Sequence, residues 1–141
     1  IEPYKPEQIA DYSIMAVPVS HHAPAVGYQI ISPDGKIVFY TGDTGPGLTS
    51  CWQYVSPHLL IVEVTVSNRY EEFAQESGHL TPSLLNQELV KFRGLKGYLP
   101  QIVVVHMNPQ LESEIAGQIE AVAQNLSCSI TLAYEGMRLH L

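Results

Sequence analysis

Apolar and polar positions divide the chain into short β-like runs first and alternating strands and helices afterwards. Residues 14–20 (IMAVPVS) form an apolar run in which Pro18, lacking an N–H, points to a strand near a sheet edge. Residues 25–32 (AVGYQIIS) and 36–41 (KIVFYT) flank Pro33-Asp34-Gly35, a strong turn signal, and read as a β-hairpin. Pro46 opens a short helix over 46–56, and residues 59–66 (LLIVEVTV) read as a buried strand. Thr81 and Pro82 supply an N-cap and a first-turn proline for a helix to about Phe92. Residues 101–105 (QIVVV) are another buried strand, and Ile115, Ile119, Val122 and Leu126 recur at helical spacing, giving an amphipathic helix over 112–125. Two short strands around the turn at Tyr134-Glu135-Gly136 close the chain. With no repeat, low-complexity tract or linker, residues 1–141 read as one domain around one core.

Alternation of strands and helices after residue 36 predicts an α/β fold, with parallel crossovers joining strands 36–41, 59–66 and 101–105. The first three strands form an antiparallel meander, so strands 14–20 and 36–41 run the same way. His21 follows the first strand and Asp43 the third. Glu63 and Thr65 lie near the end of the fourth, and His106 ends the fifth. If these strands share one sheet, their C-terminal ends share one edge, where open α/β sheets bind ligands.

Composition narrows the partners. Fourteen acidic against seven basic residues give a formal charge of −7, and the basic residues form no run. Such a surface repels polyanions and argues against nucleic acid as a partner. No apolar run approaches the ~18 residues of a membrane helix, which argues against a membrane. Cys51 and Cys128 lie far apart with no C-x-x-C spacing, so a disulfide framework is not expected and a reducing cytoplasm is the default. Cys51 has no basic neighbour to activate it and reads as buried between helix and sheet. The chain starts at Ile1 with no leader-like pattern, which suggests a cut.

Each candidate residue has a bland reading. Asp43 suits an N-cap for the following helix. His106, after four apolar residues, is of the type more often hydrogen-bonded in a core than bound to a metal. His21 and His22 are adjacent, so if the strand continues only one faces any given site. His79 precedes a helix cap and reads equally as a loop histidine, while His58 and His140 have no polar company. Together on one edge, however, His21, Asp43 and His106 form a two-histidine, one-carboxylate set of the kind that holds divalent metals. No Gly-x-Ser-x-Gly elbow, Walker-type loop or Gly-x-Gly-x-x-Gly is present.

Val17-Pro18-Val19-Ser20-His21 with Gly27-Tyr28, Thr41-Gly42-Asp43-Thr44, Gly78-His79-Leu80-Thr81-Pro82 and His106-Met107-Asn108-Pro109 together resemble the metallo-β-lactamase superfamily. Their order is most similar to the branch of class II cyclic-nucleotide phosphodiesterases and tRNase Z-like phosphodiesterases, over roughly residues 14 to 141. The resemblance implies the C-terminal half of an αββα sandwich, with one mixed sheet and helices on one of its faces. It implies two divalent ions in the complete enzyme, zinc first, with manganese or iron as alternatives. His21 would hold one ion, Asp43 would bridge both, and His106 would hold the second. His79 would assist proton transfer to the leaving oxygen, and Glu63 would orient His79.

The family's His-x-His-x-Asp-His motif belongs to the other half, and no His-x-His occurs here. Three ligands cannot complete two metal spheres, so this chain is expected to be inactive alone and part of a hydrolase of a small phosphodiester. Its bare sheet face is expected to be covered by the missing N-terminal half or by a second copy. Two alternatives stand beside this: a non-catalytic interaction or structural fragment, and a same-fold enzyme with another chemistry, such as a lactamase, thioesterase or oxygen-reducing di-iron protein.

Overall fold

The computed structural model describes residues 1–141. Seven strands form one mixed sheet in chain order: β1 (Pro6–Ile9), β2 (Tyr12–Val19), β3 (Ala25–Ile31), β4 (Ile37–Tyr40), β5 (Leu59–Glu63), β6 (Gln101–Val105) and β7 (Ile130–Leu132). The first four pair antiparallel and the last four parallel, so β4 belongs to both patterns. Helices α1 (Thr49–Trp52), α2 (Glu71–Ser77), α3 (Pro82–Lys96) and α4 (Glu112–Leu126) fill the connections. No helix is long and apolar enough to cross a membrane.

Register explains why the helices occupy one face. Phe39, Leu60 and Ile102 are cross-strand partners, as are Val62 and Val104, so all five point the same way. They join Trp52, Leu85, Leu89, Phe92, Ile115 and Ile119 in one core of 23 buried residues. Trp52 is the hinge of this core, with edge-on contacts to Phe39 and Phe92 at 6.3 and 5.2 Å between ring centres. Of the alternate positions, Ala16, Leu59 and Val103 are buried, Ile14, Tyr28, Ile30, Val38, Ile61 and Val105 are half-buried and Tyr40 is exposed, and none belongs to the core that the helices share.

Most expected elements are present, with instructive departures. Strand β5 stops at Glu63 rather than 66 because the Thr65 N–H leaves the ladder and donates to the Leu80 carbonyl. Pro18 sits on an open stretch of edge as expected: β1 pairs with β2 only as far as Met15. The helix expected over 46–56 is reduced to Thr49–Trp52. Instead of two closing strands there is one, β7, parallel to β6; after Ala133 bonds Val104 the chain turns away and finds no partner strand. Strand β1 and helix α2 were not expected. Strand β1 is exposed throughout and α2 buries only Ala74, so neither shows an apolar period.

Cys51 is buried as expected, and burial, helped by the nearby Glu88 charge, pushes its thiol up to about 12. Glu88 itself has no exposed surface. Its carboxylate accepts from Gly47 N at 2.9 Å, Leu48 N at 3.0 Å and Lys91 Nζ at 3.1 Å, so helix α3 anchors the start of α1. Glu88→Ala removes the partner of two backbone donors and leaves a void. Chemical denaturation is expected to show a loss of about 2–4 kcal/mol; a change within about 0.5 kcal/mol, the size seen at ordinary surface positions, would mean that this carboxylate is not structural.

Candidate metal and catalytic site

Five loops meet at the C-terminal edge of the strands. Thr44, in the loop after β4, is the first tie. Its Oγ1 accepts from Ser20 N at 3.2 Å at the end of β2, and its own N–H donates to Glu63 Oε1 at 3.0 Å. Glu63, with its side chain almost wholly buried, is the second tie. Oε1 also accepts from His79 Nδ1 at 2.6 Å. Oε2 accepts from Thr65 N at 3.1 Å, Thr65 Oγ1 at 2.9 Å and Leu80 N at 3.1 Å. A buried carboxylate is tolerated when its lone pairs are filled in this way.

Thr65 extends the network to β6. Its hydroxyl proton goes to Glu63, so Oγ1 presents a lone pair to His106 Nδ1 at 3.0 Å, which must then carry a proton. The same argument places a proton on His79 Nδ1, facing Glu63. His21 Nδ1 lies 2.7 Å from the Gly78 carbonyl, which accepts and cannot donate, so this ring too is protonated at Nδ1. Three imidazoles therefore share one tautomer, each with Nε2 free of these bonds.

The rings form a row, with 5.3 Å between the centres of His21 and His79 and 5.8 Å between those of His79 and His106. Asp43 Oδ1 lies 3.4 Å from His106 Nδ1. Asp43, His79 and His106 each offer a ligand atom within 4.8 Å of the others. His21 is not one of that group of three; it adjoins it through His79. His79, expected to move protons rather than hold a metal, stands where His21 was expected. Glu63 touches His79 directly.

Local backbone supports the arrangement. His106 has φ 62°, a left-handed conformation that costs a side-chain-bearing residue about 1 kcal/mol or more. Gly78 has φ 75°, and a Cβ there would lie 2.7 Å from His21 Nδ1, so only glycine lets the β2 exit and the α2 end approach so closely. His58 serves the opposite edge, where its Nδ1 accepts from Ile37 N at 2.9 Å, and His140 is exposed at the chain end.

Thr44, Thr65 as a bridge, and Glu88 were not expected to matter. Glu88 had a visible signal: it falls among Leu84, Leu85, Leu89 and Phe92 on the apolar stripe of its helix. Thr44 and Thr65 had none beyond their proximity to Asp43 and Glu63.

No protein-family model matches the sequence, and no curated protein is similar enough to match it. Solved structures do match. The metallo-β-lactamase fold protein YhfI from Bacillus subtilis superposes with a TM-score of 0.76 at 14% identity, over 97% of this chain and 53% of that one. Human tRNase Z, short form, gives 0.64 at 21% identity over 93% and 44%. An isothiocyanate hydrolase from Delia radicum gut bacteria gives 0.67 at 12% identity over 96% and 57%. The chain thus spans about half the length of each. Its mixed sheet with helices on one face is that of the metallo-β-lactamase fold.

Proposed function

We propose that this chain is one half of a metal-dependent phosphodiesterase and supplies Asp43, His106 and His21 as ligands and His79 as a proton carrier. The reading is carried by the Nδ1–H tautomer that Gly78, Thr65 and Glu63 impose on His21, His106 and His79, which leaves each Nε2 free of these bonds while His79 and His106 stand in one group with the Asp43 carboxylate. Imidazole nitrogen and carboxylate oxygen suit zinc, manganese or iron, so the donor set fits a divalent ion. Such ions supply activation of a water and neutralisation of charge on the phosphoryl oxygens.

The chain's own residues do the rest. Asp43, exposed on a loop held by Thr44 and Glu63, keeps its carboxylate within reach of His106. Glu63 fixes the His79 ring and retains the Nδ1 proton, so the proton exchanged with substrate is the one at Nε2. The structures matched are about twice as long as this chain, and the bare sheet face carries apolar residues. Both features favour a partner half on that face, bringing the remaining ligands; a second copy of the chain is the competing occupant.

One observation favours a second reading, in which His79 is itself a ligand: its ligand atom lies within 4.8 Å of those of Asp43 and His106. Replacement of His79 by Ala in the completed enzyme separates the two. A proton-transfer role predicts a fall in kcat of about 10²–10⁴-fold with metal affinity unchanged, whereas lost metal affinity in titration calorimetry would make His79 a ligand. The 141-residue chain alone, given Zn²⁺ or Mn²⁺ and a chromogenic phosphodiester, is expected to show no turnover above the metal blank. Strong turnover would contradict the need for a second half.

A further inference from the structure

Next to this site runs a groove of about 310 Å³ lined by Val66, Tyr70, Phe73, Asn108, Gln110 and Leu111. It is joined to the site by the backbone. Val66 follows Thr65, whose hydroxyl touches both His79 and His106, and the Thr65 carbonyl accepts from Asn108 N at 2.9 Å. Val66 and Leu111 are buried, while Tyr70 and Phe73 leave 39% and 54% of their surface in water, which forgoes apolar burial unless something covers them. Tyr70 is held in place: the Arg69 guanidinium lies 4.8 Å from its ring centre, and Arg69 pairs with Glu114 at 3.3 Å. Asn108 uses Oδ1 to accept from Gln110 N at 3.0 Å, which leaves its side-chain N–H groups for a ligand.

We infer that this groove holds a planar aromatic substituent of the phosphodiester, which makes Tyr70 and Phe73 specificity-determining residues. The inference rests on the hydrolytic reading above for the position of the phosphoryl group. The groove's lining contains no charged side chain, which selects a neutral occupant. Two exposed rings favour a flat partner that stacks or meets them edge-on. The volume sits at the small end of ligand pockets, enough for one substituent and not for a whole polymer.

The test compares phenylphosphonate with methylphosphonate, which carry the same phosphonate group and differ in the ring, by calorimetric titration of the completed enzyme with Mn²⁺ present. Phenylphosphonate is expected to bind on the order of tenfold more tightly. That preference should collapse towards unity in Phe73→Ala and Tyr70→Ala and persist in Phe73→Tyr. Equal affinities in the unaltered protein, binding of neither ligand, or a preference untouched by both alanine variants would overturn the assignment. The readout needs no turnover. In the completed enzyme, a ring preference without diester hydrolysis would sink the hydrolytic reading alone, and hydrolysis without ring preference would sink the groove alone.

Discussion

Five hydrogen bonds converge on the carboxylate of Glu63, and the arrangement of the sheet's C-terminal edge depends on them. They come from Thr44 after β4, from Thr65 after β5, and from His79 and Leu80 before α3. Leaving such a charge buried without partners would cost several kcal/mol, so the three segments can depart from this geometry only at that cost. Thr65 passes the constraint on to β6 through His106, and Thr44 passes it back to β2 through Ser20. Glu88 performs a parallel task one layer deeper, gripping Gly47 and Leu48 from α3. Loop 41–48, which presents Asp43, is thus held by two buried carboxylates.

The chemistry follows from that rigidity. Asp43 and His106 are exposed, yet the positions of both are set from below by groups that are not. Strain at His106 is sustained because its ring is bound to Thr65 and its neighbour Asn108 is bound to the Thr65 carbonyl. Apolar packing of Phe39, Trp52 and Phe92 keeps the helices on one face and leaves the other open.

Much of this was legible in the sequence, for reasons that differ by element. Strands β2, β3, β4, β5 and β6 and helices α3 and α4 announce themselves because each buries a periodic apolar face, and the Thr81-Pro82 cap marks the start of α3 closely. Strand β1 and helix α2 were invisible because they bury almost nothing. Residues 137–141 alternate like a strand, but they pair with no other strand. At the site, strand ends placed His21, Asp43, Glu63 and His106 on one edge, and only the family resemblance added His79 to them. They did not determine which imidazole lies closest to Asp43, because that depends on side-chain bonds to Thr65, Glu63 and Gly78 that no spacing encodes.

Long-range ¹H–¹⁵N spectra of the imidazole rings at neutral pH read the central claim most directly. With Glu63 accepting from His79 and Thr65 accepting from His106, both rings should carry their proton on Nδ1 and a bare Nε2, and Glu63→Ala should abolish that preference at His79. Rings protonated on Nε2, or a His79 tautomer indifferent to the loss of Glu63, would contradict it.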